Sequence, residues 1–202
     1  SNMSELNSSE SDFYLSTGPN DSQFFVSDRG GSMPSKMPAI RIDGRNNYFS
    51  DEKSDYTDRG YFNVYTKNKE GQIAEVVSNV PGTMSFSDPS FAPEKNLLFY
   101  SVTRSIKKVK KQNVITVQPE IYYSTVNAEG KLEGFTPFPY NDSLNHGMMH
   151  PFIDEEAKRL YFVSDRAGGQ GGYDIYYSEF DEEMNFKEPV NLGPEVNTSG
   201  NE

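Results

Sequence analysis

The chain has 202 residues, enough to bury a substantial core in one compact unit. Cysteine is absent, which removes disulfide and thiolate chemistry, and a net charge of −11 argues against a general nucleic-acid or anionic-membrane binder. No apolar run approaches the roughly eighteen residues of a membrane helix, and 13 Tyr, 14 Phe, 16 Gly and 12 Pro against a hydrophobic fraction of 34% favour an all-β chain of short strands and many turns.

Ser1-Asn2 reads as the remnant of a cleaved tag, and residues 1–11 as a lead-in. The first predicted unit, 12–82, holds the strand Phe24-Phe25-Val26-Ser27, then Asp28-Arg29-Gly30-Gly31, and later the strand Gly60-Tyr61-Phe62-Asn63-Val64-Tyr65. Between them lies a long elaborated loop with an expected hairpin through Ala39-Ile40-Arg41-Ile42 and an acidic group of Asp51, Glu52, Asp55 and Asp58.

The second unit, 83–142, runs Asp88-Pro89-Ser90-Phe91, a polar turn at Pro93 to Asn96, Leu97-Leu98-Phe99-Tyr100-Ser101, a basic insertion, and Ile121-Tyr122-Tyr123-Ser124. The third, 143–202, repeats the order as His150-Pro151-Phe152-Ile153, a polar turn at Asp154 to Lys158, Leu160-Tyr161-Phe162-Val163-Ser164-Asp165-Arg166, a Gly-rich loop, and Asp174-Ile175-Tyr176-Tyr177-Ser178, closing through Pro189-Val190-Asn191-Leu192-Gly193. Leu98 to Ser101 lie 63 residues before Tyr161 to Ser164, and Ile121 to Ser124 lie 54 before Ile175 to Ser178. The tail from Val196 echoes the head from Leu6, so the chain reads as a whole number of copies from a longer array.

Three copies of about four short strands, near the roughly 40 to 50 residues of a propeller blade plus insertions, predict an all-β chain of about three four-stranded antiparallel blades in an incomplete or open β-propeller. The continuous apolar runs in the second and third strands imply sheets covered on both faces, as in stacked blades. An immunoglobulin-like sandwich would also give short strands and turns, but it would bury alternate residues and gives no reason for threefold recurrence.

The copies resemble TolB-like, WD-type propeller repeats, as in the propellers that precede a peptidoglycan-binding domain in OmpA-family envelope proteins of Bacteroidetes-like bacteria. The resemblance is carried by His150-Pro151-Phe152, Leu160 to Arg166, Gly168-Gly169, Gly172 to Tyr176 and Pro189 to Gly193. It implies a periplasmic or outer-membrane-associated location and contact with envelope proteins, including a peptidoglycan-linked assembly reached through domains outside this chain. Related blades serve as scaffolds, translocation partners and peptidase appendages, so the repeat marks a fold more than a function.

Ser27-Asp28-Arg29 and Ser164-Asp165-Arg166 set an acid beside a base at a strand end. Because the group recurs, it reads as a blade-stabilising device tied to Asp174 or to loop backbone, and not as a catalytic site. The second copy offers Val102-Thr103-Arg104 in its place. Gly168 to Gly172 reads as a hairpin loop, since it leads into a strand and not into a helix N-terminus. His146 and His150, the only two histidines, reach the innermost strand and are candidates for a channel-facing contact; no third metal ligand is visible beside them. The acidic loop residues lack the spacing of an EF-hand. Arg104, Lys107, Lys108, Lys110 and Lys111 form a basic cluster that reads as a solvated hairpin tip, with contact to an acidic protein, a glycan polymer or lipid headgroups as the functional reading.

No cofactor or metal is expected, and no catalytic residue is assigned. The favoured function is a non-catalytic interaction or scaffold module. The alternative is the propeller portion of an enzyme, a glycoside hydrolase or a peptidase-associated propeller; no Gly-x-Ser-x-Gly elbow is present and Trp is absent. Three blades should not close into a ring alone, so edge-to-edge self-association is expected if the chain stands by itself.

Overall fold

The computed structural model describes residue 6, residue 8 and residues 12–29, 62–104 and 118–201. Twelve strands form three four-stranded antiparallel sheets, each a meander whose strand order follows the chain. The first holds β1 (Asp12–Thr17), β2 (Gln23–Ser27), β3 (Asn63–Lys67) and β4 (Ile73–Glu75). The second holds β5 (Thr83–Ala92), β6 (Leu97–Arg104), β7 (Glu120–Val126) and β8 (Leu132–Pro137). The third holds β9 (Met148–Asp154), β10 (Arg159–Ser164), β11 (Asp174–Glu179) and β12 (Val190–Asn191). These are propeller blades that do not close into a ring. The hairpin predicted at 39–42 and the acidic residues Asp51, Glu52, Asp55 and Asp58 lie outside the described residues.

Period-two packing makes one stack of the blades. In β6, Leu98, Tyr100 and Val102 face the first blade and join Phe24, Val26, Val64 and Phe86 in one core. Phe99 points the other way and joins Ile121, Phe138, Met148, Leu160 and Phe162 in a second core against the third blade. Both faces of the middle sheet are therefore covered. The third blade differs: Leu160, Phe162 and Ser164 are buried while Tyr161 and Val163 between them are half-buried. The continuous runs of β10 and β11 thus do not mean two covered faces there. This blade ends the described stack, so only the side toward β6 and β7 is packed.

Cross-strand pairing also corrects the sequence register. Phe25 pairs with Tyr65, Tyr100 with Tyr122 and Phe162 with Tyr176, all on the blade face turned toward the chain's start. The equivalent of Phe162 is therefore Tyr100, 62 residues earlier and not 63, and Val102 stands where Ser27 and Ser164 stand. A one-residue slip would put every β6 side chain on the wrong face. The 54-residue spacing of the third strands holds, with Tyr122 matching Tyr176.

The interfaces repeat as well. The Phe86 amide donates to the Phe62 carbonyl (2.9 Å), and the Met148 amide, one blade on, to the Pro119 carbonyl (2.8 Å). Ser16 Oγ accepts from the Phe91 amide (3.3 Å), and its equivalent Ser90 Oγ from the Ile153 amide (3.1 Å).

Candidate functional site

Each inner strand carries a bulge at the same repeat position. Pairing jumps from Phe13 to Ser16 in β1, from Ser87 to Ser90 in β5, and between the partners of Tyr161 and Val163 in β9. At each bulge one residue adopts a left-handed conformation: Tyr14 (φ 61°), Asp88 (φ 58°) and His150 (φ 54°). Bulges of this kind re-aim a side chain. Here they direct three equivalent side chains, one per blade, toward one another.

Asp88 is buried and His150 is 45% exposed, with His150 Nδ1 lying 3.2 Å from Asp88 Oδ1. The His150 amide also donates to Asp88 Oδ2 (3.3 Å) and to Ser101 Oγ (3.1 Å). The Tyr14 ring stacks on the imidazole at 6.0 Å and 17°. The Asp88 hydrogen bond outweighs the desolvation that would favour a neutral ring, so His150 holds its proton to higher pH than an ordinary histidine. Burial would raise the Asp88 carboxyl, but the hydrogen bonds and charge of His150 and the Ser101 hydroxyl bring it below the usual value. Burial, aided by the Asp88 charge, pushes the Tyr14 phenol up to about 12.

Beside this cluster lies a cavity of about 210 Å³, lined by Phe13, Phe62, Ser87, Asp88, Ser101, Thr103, Pro119, Met149 and His150. Phe13, Ser87 and Met149 are themselves equivalent, each preceding a bulge residue. Phe13 and Phe62 meet edge to face at 5.0 Å. The walls are largely apolar, and of the polar lining groups Asp88, Ser101 and His150 are engaged with one another, an arrangement suited to gripping an apolar group that brings a hydrogen-bonding atom.

The sequence-selected residues are distributed differently. His150 is part of this cluster, whereas His146 sits in the turn before β9 and does not line the cavity. Among the described residues no three His, Asp or Glu side chains come together to hold a metal. Arg104 is no free basic side chain: it forms a two-pronged ion pair with buried Glu120, Nη2 lying 3.2 Å from Oε1 and Nε closer still to Oε2. Lys107, Lys108, Lys110 and Lys111 lie outside the described residues.

In the third blade's Ser-Asp-Arg group the acid and base take different partners. Ser27 Oγ and Ser164 Oγ accept the amides of Arg29 (3.0 Å) and Arg166 (3.2 Å). Both arginines lie over the equivalent tyrosines, Arg29 at 5.7 Å from Tyr65 and Arg166 at 5.8 Å from Tyr176, and each tyrosine hydroxyl donates back to its arginine's carbonyl. Asp165 accepts the Gly147 amide (2.7 Å). Asp28 is buried at the end of β2.

Each equivalent arginine uses a different acid: Asp12 for Arg29, Glu120 for Arg104 and Glu188 for Arg166. Burial would raise the Asp12 carboxyl, but hydrogen bonds from Ser27, Arg29 and Ser8 hold it at about 2. Of the two ties the sequence allowed, to Asp174 or to loop backbone, Arg166 does not pair with Asp174, while Asp165 meets backbone at Gly147. Asp174 occupies the place of Glu120, but the Gly-rich loop claims it through the Gly171 amide (3.0 Å) and the Gln170 amide, together with Asn191 Nδ2 of β12 (2.8 Å).

Tyr14 and Asp88 were not singled out from sequence. A signal existed in the shared X-Pro step of Asp88-Pro89 and His150-Pro151, which marks the same bulge.

Comparison with solved structures gives an informative likeness. A protein from Agrobacterium tumefaciens assigned as TolB superposes with a TM-score of 0.50 at 13% identity, over 97% of this chain and 55% of that one. The fold is similar to a TolB propeller. The chain thus spans little more than half of that neighbour's length. A puromycin-hydrolyzing peptidase from Mycobacterium tuberculosis also matches at 13% identity, over 92% of this chain and 39% of that one, but its TM-score of 0.28 carries no argument. No protein-family model matches the chain, and neither does any curated protein. Among the described residues no helix is long and apolar enough to cross a membrane, which leaves β-barrel spanning unaddressed.

Proposed function

We propose that this chain is a non-catalytic interaction module of a bacterial cell-envelope protein, periplasmic or outer-membrane-associated, with neighbouring domains linking it to a peptidoglycan-bound assembly. The TolB-like fold supports the envelope setting. The observation that carries the interaction role is the convergence of Tyr14, Asp88 and His150 beside an apolar cavity, with acid and base satisfied by each other and the walls left to grip a partner. In-cell photo-crosslinking from the full-length protein tests it. A photoreactive residue at Thr103, on the cavity wall, should trap an envelope protein, while one at Glu129, on the exposed β7–β8 turn, should not. Equal labelling at both positions, or recovery of the protein in the cytoplasmic fraction, would overturn it.

One observation favours the enzyme reading. Asp88 orients the His150 imidazole as an acid orients a catalytic histidine, with Ser87 and Ser101 lining the same cavity. Hydrolysis of ester, peptide or glycoside probes that disappears in His150→Gln would establish it.

A further inference from the structure

The polar groups lining the cavity divide into two sets. Asp88 has both carboxylate oxygens engaged: Oδ1 faces His150 Nδ1 (3.2 Å), Oδ2 accepts the His150 amide (3.3 Å), and the Ser101 hydroxyl adds a further hydrogen bond. Among the described residues the lining therefore offers a ligand's ammonium group no free carboxylate. The second set is the Ser87 hydroxyl, the Thr103 hydroxyl and His150 Nε2, which make no hydrogen bond among the described residues. Because Nδ1 is committed to Asp88, Nε2 is the nitrogen of the half-exposed imidazole left for a ligand.

Around these donors lie Phe13, Phe62, Pro119 and Met149. At about 210 Å³ the cavity is smaller than the roughly 300–1,000 Å³ of a drug-sized pocket, so apolar bulk and acceptor must come from a single residue. An internal Phe or Leu brings bulk without a carboxylate, and an internal Asp or Glu brings the reverse. Successive residues of an extended segment point to opposite sides, so two neighbours cannot share the task. A chain-terminal apolar residue carries a side chain and a carboxylate on one Cα. Charge agrees: one carboxylate beside an imidazolium makes a strong hydrogen bond, whereas a chain of net charge −11 repels a partner that brings many acids.

We propose that the cavity binds the C-terminal residue of a partner protein, its apolar side chain held by Phe13, Phe62, Pro119 and Met149 and its carboxylate by His150 Nε2 and the Ser87 and Thr103 hydroxyls. This rests on the interaction role proposed above and names the feature of the partner that the cavity reads. Capture of a terminal carboxylate is a recurrent mode of peptide recognition, and here side-chain donors stand in for backbone amides.

Calorimetric titration of the full chain with N-acetyl-Ala-Ala-Phe tests the proposal at about pH 6, where His150, raised above its ordinary 6.5, holds both ring protons. The free acid should bind at least about tenfold more tightly than its C-terminal amide. N-acetyl-Ala-Ala-Ala, which keeps the carboxylate and lacks the ring, should also lose at least about tenfold. His150→Gln should weaken the acid at least about tenfold, and Thr103→Val, which keeps the shape and removes one donor, about three- to tenfold. Both variants should narrow the preference for acid over amide, and Glu129→Gln, on the exposed β7–β8 turn, should leave it unchanged. No binding of the acid at about 10 mM, or acid binding indifferent to both cavity variants, would overturn the proposal. A protein trapped from Thr103 together with equal binding of acid and amide would overturn this inference alone and leave the interaction role standing.

Discussion

Asp88 and His150 occupy the same position in consecutive blades and hydrogen-bond across the interface between them, Nδ1 to Oδ1 at 3.2 Å. A repeated backbone feature, the left-handed bulge, has thus been given different side chains so that neighbouring copies complement each other. Tyr14, the third equivalent, stacks on the imidazole and completes a junction of all three blades.

That junction makes stability depend on pH. His150 is raised above its ordinary 6.5, so its contribution is complete below pH 6.5 and is lost as pH rises through the folded value. Asp88 is lowered below 3.8, so its contribution is complete above pH 3.8 and is lost as pH falls through the folded value. Urea unfolding should therefore show the pair's contribution between these limits and less of it at pH 8.5. His150 is half exposed, so the loss should stay within about 1 kcal/mol. In His150→Gln this part of the pH dependence should vanish; an unchanged profile would show that the pair does not couple the blades.

Phe25 and Phe162 are equivalent, almost wholly buried, and stacked on Tyr65 and Tyr176 at 5.7 and 6.1 Å. Each of Phe25→Ala and Phe162→Ala should cost about 3–5 kcal/mol in chemical denaturation. Phe152→Ala, on the open face, should change the stability of the monomer by less than about 1 kcal/mol. Similar losses at all three positions would contradict the assigned faces.

Asp174 holds the Gly-rich loop by the Gln170 and Gly171 amides. Asp174→Ala should speed hydrogen exchange at those two amides by at least about tenfold while leaving the β9–β10 pairing protected. Asp174→Asn, which keeps an acceptor oxygen, should speed it less. Uniform loosening of the third blade would instead assign Asp174 to the sheet.

Strands and their threefold recurrence were legible because Phe-Phe-Val-Ser, Leu-Leu-Phe-Tyr-Ser and Leu-Tyr-Phe-Val-Ser are β-rich runs between turn residues. Their exact phase was not. Matching Ser101 to Ser164 preserves a residue type but reverses the face, and only pairing of Tyr100 with Tyr122 and Phe162 with Tyr176 sets the correct register. Burial on the far side of β10 was likewise illegible, since a run such as Tyr161-Phe162-Val163 looks the same in an inner blade and in an end blade. At the site, His150 was visible as one of two histidines. Asp88 was hidden among 30 acids, and Tyr14 lacks the following proline that marks its two equivalents.

Three equivalent blades are clasped in one register by paired amide hydrogen bonds. Native-state hydrogen exchange at the amides of Phe86, Phe91, Met148 and Ile153 tests it most directly. All four should be protected like the sheet interior, and Ser90→Ala should selectively expose Ile153 while costing about 1 kcal/mol of global stability. Fast exchange at all four amides in the wild type, with the strands within each sheet still protected, would show that the blades are not joined in this way.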